Sequence, residues 1–126
     1  MKASLKNYRQ SPRKVRLVAD FIRGKSVTDA RASLTFMPQK SSPAIMKLLE
    51  SAVANAREQG ASAESLFVRS IAVNKGTVMR RARPFARGRS GSIRKTMSIV
   101  TLELGVSAPA KKPRAKKTAK TAAATK

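Results

Sequence analysis

The chain has 126 residues, room for one domain and a short extension, and carries 28 Lys and Arg against six Asp and Glu, a formal net charge of +22. It has neither Cys nor His, which excludes a disulfide framework and thiolate zinc sites and removes the commonest metal ligand and general base. A field of this sign calls for nucleic acid or an anionic membrane, and no apolar run approaches the roughly 18 to 20 residues of a spanning helix. Met1 to Lys6 runs into polar sequence without the apolar segment of a secretory signal, so a cytoplasmic location without membrane contact is expected.

Residues 2 to 9 alternate weakly, with Ala3, Leu5 and Asn7 on one side, and read as a short edge strand that needs a partner at the base of a sheet. Ser11-Pro12 opens a helix, with Ser11 as the N-cap and Pro12 at the first helical position. Val15, Val18, Ala19 and Ile22, with Leu17 and Phe21 beside them, form its apolar stripe, and Gly24 ends it. Its first turn carries Arg13, Lys14 and Arg16 where the macrodipole already favours anions. These cations are either phosphate ligands or solvated charges, and the overall charge of the chain favours phosphate. Gly24-Lys25-Ser26 resembles the end of a P-loop, but position 19 is Ala and the triplet follows a helix instead of preceding one, so no nucleotide site is expected.

A second helix is expected from about Val27 to Phe36, capped by Thr28 or Ser26, with Asp29 in its first turn and Val27, Ala30 and Leu34 inward; Met37-Pro38 stops it. A third and longest helix, capped by Ser42 and closed near Gly60, repeats Ile45, Leu48, Leu49, Ala52, Val53 and Ala56 at three- and four-residue spacing. Asn55 is either a polar interface residue or, as is commoner for Asn, faces solvent.

From Leu66 the period changes to two. Phe67, Arg69, Ile71 and Val73 fall on one face and Leu66, Val68, Ser70 and Ala72 on the other, and a second β-rich run spans Ile93 to Leu104. Between them Asn74 to Lys95 carries eight Lys or Arg and no acid. Pro84, Gly88 and Gly91 put the reversal near residues 84 to 90. The two strands should pair antiparallel into a hairpin over about residues 67–104, on the order of 50 Å long and longer than so small a domain is wide. A protruding two-stranded ribbon has no core and its cations repel one another, so it needs a polyanion around it. Its candidate phosphate contacts are Lys75, Arg80, Arg81, Arg83, Arg87, Arg89, Arg94 and Lys95, joined by Arg13, Lys14, Arg16 and Lys25 from the first helix and its end.

Three helices on one face of three antiparallel strands make an α+β fold with a long protruding hairpin. Residues 1–105 are expected to form a single domain. Residues 106–126, mostly Ala, Lys, Pro and Thr, read as a basic low-complexity tail that cannot bury enough surface to order itself. Six scattered acids give no paired-carboxylate spacing and no nucleophile–base constellation, so neither an enzyme nor a cofactor is expected.

Three separated motifs resemble one family. SPRKVRLVADFIRGKSV from Ser11 to Val27, ESAVANA from Glu50 to Ala56, and the run from Arg83 to Leu104 with Pro84, Ala86, Gly88, Arg89, Ile93, Lys95 and Ser98 in register are similar to bacterial large-ribosomal-subunit protein 22. The resemblance covers roughly residues 2 to 105. It implies a structural protein that binds 23S-type rRNA, touches neighbouring large-subunit proteins and aids subunit assembly. It further implies a hairpin tip in the wall of the nascent-peptide exit tunnel, with Met79, Arg80 and Arg81 at the constriction and Pro84, Phe85, Arg87, Gly88 and Arg89 toward the tip. Phe85 and Ser92 depart from residues often basic in that family, and Ile99 stands where many members have His. Phe85 can stack on a base or pack on its own hairpin. The alternative reading of the charge and of the Ala-Lys-Pro tail is a nonspecific DNA-compacting nucleoid protein.

Overall fold

A computed structural model of the chain describes residues 1–106. The elements are β1 (Lys2–Tyr8), α1 (Pro12–Ile22), α2 (Val27–Thr35), α3 (Ser42–Glu58), a 3-10 turn at Ala63–Ser65, β2 (Leu66–Pro84) and β3 (Ser90–Val106). The sheet is antiparallel with order β1-β3-β2, so β3 is its centre. The predicted α+β fold and its hairpin are therefore present; the predicted tail lies outside the described residues apart from Val106.

β3 is central because it alone meets two partners. Its inner residues Val100, Leu102 and Leu104 are buried against the helices, and Leu66, Val68, Ile71 and Val73 come from β2. Ala3 and Leu5 of β1 pack against the same cluster. α1 lies over β2, and α3 lies over β1 and β3. Ala52 and Ala56 are fully buried on α3, and their small side chains let that helix sit close to the sheet. On the opposite face of the sheet, Glu103 bonds Lys2 at 2.8 Å and accepts from Ser70 at 3.1 Å, a polar tie across all three strands. These contacts hold its carboxyl below the usual range, the Lys2 hydrogen bond first and Ser70 next.

Several local expectations change. The buried face of β2 switches parity: Leu66 and Val68 point inward, then Ile71 and Val73. A register shift between Val68 and Ser70 explains it, since Arg69 is the extra residue of a β-bulge and an added residue inverts the alternation beyond it. A second shift falls between Lys75 and Val78, where Gly76 lets β2 close on β3: a Cβ there would stand 3.3 Å from the Met97 carbonyl oxygen. In β1 a shift between Leu5 and Tyr8, with Asn7 at φ 56°, turns Asn7 outward and gives the inner place to Tyr8.

Leu17 and Phe21 are exposed, at 67% and 47%, so the buried stripe of α1 is Val15, Val18, Ala19 and Ile22 alone. Ser11 stands at the N-cap without a side-chain capping bond. α2 ends at Thr35, and Ser26 is its cap, accepting from the Asp29 N–H at 3.1 Å. The N-cap of α3 is Ser41 instead of Ser42, whose hydroxyl is buried and donates to the Leu34 carbonyl. Asn55 does not face solvent freely, because its amide donates to the Lys2 carbonyl at 3.1 Å and ties α3 to the outer edge of β1.

Leu102 is fully buried on the central strand. Leu102→Ala should lower stability in urea unfolding by about 2 to 5 kcal/mol through lost burial and the cavity left behind. A loss within about 0.5 kcal/mol, the scale of surface substitutions, would contradict this packing.

Candidate nucleic-acid interface

Beyond Val73 on β2 and Ser98 on β3 no residue of the hairpin is fully buried. The free ribbon therefore runs from Asn74 to the tip, about 35 Å at about 3.3 Å per residue. This is shorter than the hairpin as a whole, because the first part of β2 and the last part of β3 belong to the body sheet. The reversal occupies Phe85 to Arg89, with Arg87 at φ 59° and Gly88 at φ 68°. Two consecutive left-handed residues turn the chain sharply, and Gly88 takes that conformation without strain. The Phe85 N–H donates to the Arg89 carbonyl at 2.7 Å and closes the turn. The ring of Phe85 lies against Gly91, where any Cβ would collide with it, so one face packs on its own hairpin while the side chain stays 62% exposed.

Register decides where the charges point. Arg80 pairs directly with Arg94, so two guanidinium groups share one face of the ribbon. Met79 pairs with Lys95, Arg81 with Ile93 and Arg83 with Gly91 on the other face. Arg87 and Arg89 crown the tip, and Lys75 stands exposed near the root. The ribbon thus presents cations on both faces and at its end. Among the described residues the ion pairs are Lys2 with Glu103, Arg23 with Asp20 and Arg31 with Glu50, and none involves the ribbon.

The predicted cations of α1 separate into two roles. Arg13 and Lys14 are exposed in its first turn. Arg16 instead donates from Nε and Nη2 to the Val73 carbonyl, each at 3.1 Å. Arg23, which the sequence reading passed over, donates to the Ile71 carbonyl at 3.2 Å. β2 is an edge strand, and these two guanidiniums satisfy two of its carbonyls, those of Val73 and Ile71. Lys25 lies at the far end of α1 from Arg13 and Lys14. Its ammonium stands 3.7 Å from the centre of the Phe21 ring and 3.2 Å from the Ser33 hydroxyl, while its carbonyl accepts from Val68 at 2.9 Å. Arg9, which its sequence pattern places in a strand, stands exposed where β1 hands over to α1, beside the ribbon root. The only signal for it in sequence is a cation next to a helix start.

Among the described residues no helix is long and apolar enough to cross a membrane, and no three acids converge as a metal site requires. A small body that anchors an unpaired cationic ribbon has the build of a structural part of a nucleoprotein particle. The sequence profile described as Ribosomal protein L22p/L17e matches residues 3–105, and the chain belongs to that family. Among its relatives, a large ribosomal subunit protein uL22 from Geobacter metallireducens is 49% identical over 82% of this chain and 94% of its own length. Proteins of the same name from Geobacter sulfurreducens and Herpetosiphon aurantiacus are 50% and 47% identical, over 81% and 80% of this chain and 93% and 90% of theirs. The family is one of structural ribosomal proteins, not of enzymes.

The division of labour on α1 can be measured. Arg16→Met should destabilise the chain in urea unfolding by about 1 kcal/mol, through the lost bonds to the β2 edge. Arg13→Met, at an exposed position, should leave stability within about 0.5 kcal/mol. Equal stability losses for the two variants would contradict these assignments.

Proposed function

We propose that the chain is a structural protein of the large ribosomal subunit whose ribbon is embedded in 23S-type rRNA. The observation that carries this is the register of the hairpin, which distributes unpaired cations over both faces. A ribbon that bound one side of a duplex would need charge on one face only; charge all round fits a channel of phosphates. Recognition then rests on backbone and shape, because A-form RNA hides its base edges in a deep, narrow groove. Arg supplies most of the contacts, and its planar fork suits bidentate binding of phosphate.

In this reading residues 1–105 act as one RNA-binding unit. The body lies on the outer side of the subunit, among neighbouring ribosomal proteins, and aids assembly. The tip, with Met79, Arg80 and Arg81 behind it and Pro84, Phe85, Arg87, Gly88 and Arg89 around it, reaches the wall of the nascent-peptide tunnel and borders the growing chain. Arg13, Lys14, Lys75, Arg83, Arg94 and Lys95 bind phosphate along the way. Arg16 and Lys25 contribute charge there while serving the fold. Residues 106–126 add nonspecific phosphate contacts. The family membership and the relatives named as large-subunit proteins support the placement, which also makes the cytoplasmic ribosome the site of action.

Removing everything after Leu66 would destroy the core, since Val68, Val100 and Leu102 lie beyond it. The informative variant replaces residues 76–97 by Asn-Gly, which joins the paired Lys75 and Ser98 through a two-residue turn. The variant should keep the circular dichroism of the body and lose its place in large subunits after a high-salt wash, whereas the whole chain stays bound at one copy per particle. Retention of the shortened chain at the same level would overturn the proposal. Recovery of the whole chain with DNA instead of with large subunits would favour the nucleoid alternative.

A further inference from the structure

β1 stops opposite Ser98, but β3 continues outward with β2 as its sole strand partner among the described residues. From Met97 to the tip the second edge of β3 is therefore open, with backbone N–H and C=O groups that no strand among the described residues pairs. The linker leaving β1 is fixed next to this edge. The Gln10 N–H donates to the Tyr8 carbonyl at 2.8 Å, the Tyr8 hydroxyl donates to Gln10 Oε1 at 2.9 Å, and the buried Ser98 hydroxyl donates to the Gln10 carbonyl. The result is a notch of about 350 Å³ at the ribbon root, walled by Arg9 and Ser11 from the linker and by Met79, Lys95, Thr96 and Met97 from the ribbon.

Its size is at the small end of ligand-binding clefts, which run about 300 to 1,000 Å³. That fits one nucleotide and excludes a helix. Arg9 and Lys95 supply two cations, neither of which meets a carboxylate among the described residues. The Ser11 hydroxyl makes no capping bond and is exposed. Met79 and Met97 are half-buried thioethers, soft surfaces on which a ring can rest. The open strand edge offers both a donor and an acceptor, as a ribose 2′-hydroxyl requires.

We propose that this notch binds a single unstacked nucleotide of the rRNA, with its phosphate between Arg9 and Lys95, its ribose at the open β3 edge and its base against Met79 and Met97. The proposal rests on the RNA-binding reading of the ribbon and adds to it a site that selects RNA over DNA at the root.

Peroxide oxidation followed by mass spectrometry tests it on the full chain, free and bound to a transcript of large-subunit rRNA. The five methionines give internal controls. Met79 and Met97 should oxidise at least several-fold more slowly in the complex, while Met1 at the other end of β1 keeps its rate. Arg9→Ala and Lys95→Ala should each lower the magnitude of the salt-dependence slope by about 1 and, together, narrow the preference for RNA over DNA of the same sequence. Unchanged oxidation of Met79 and Met97 in a complex that does form, or wild-type affinity and slope in the double variant, would refute the notch and leave the ribosomal reading standing. Failure of the unaltered chain to bind the transcript would refute both.

Discussion

Arg80 and Arg94 face each other across the ribbon, and like charges directly opposite on paired strands destabilise the pairing. A two-stranded ribbon is marginal in water even without that repulsion. The sequence nevertheless fills the ribbon with Arg and Lys and keeps all six acids on the body. This conflict is resolved only by an external polyanion: each phosphate that meets a cation removes repulsion and releases counterions. The ribbon is in that sense half of a structure, and the proposed function makes RNA the other half.

Such an element needs a firm root, and the body is organised to provide one. β3 is both the central strand of the sheet and one arm of the ribbon, so the core formed by Val100, Leu102 and Leu104 continues directly into the cationic finger. Arg16 and Arg23 hold the β2 edge from α1, and Gly24 and Lys25 extend that grip through backbone bonds with Val68 at 3.0 and 2.9 Å. Two bulges in β2 sit at the places where the strand changes task. One, at Arg69, turns the alternation so that Ile71 and Val73 can reach the core; the other, around Gly76, marks the exit from the body.

Much of this was legible in the residues. The bounds of α1 followed from Ser11-Pro12 and Gly24, and the hairpin followed from two period-two runs flanking a cationic segment with Pro84 and Gly88 at its turn. What escaped has physical causes. A bulge adds one residue without any required side chain, so the parity change at Arg69 left no mark in the pattern. Leu17 and Phe21 look like core by hydropathy, yet only packing decides which side of a broad stripe is covered. Arg16 was itself a nucleic-acid candidate and Arg23 has the same side chain; their bonds to the β2 edge become visible only when helix and strand are seen together. Asn55 likewise looks like any surface amide until β1 lies beside it. The notch at Arg9 arises from a strand that ends early, a feature of topology and not of any one residue.

Amide hydrogen exchange, measured on the full chain alone and bound to large-subunit rRNA, reads the mutual dependence of ribbon and RNA most directly. The account predicts fast exchange from about residue 76 to 96 in the free chain, slow exchange at Val100 and Leu102 in both states, and strong protection of the ribbon only in the complex. A ribbon already protected in the free chain at low salt, or one that gains no protection when RNA binds, would contradict it.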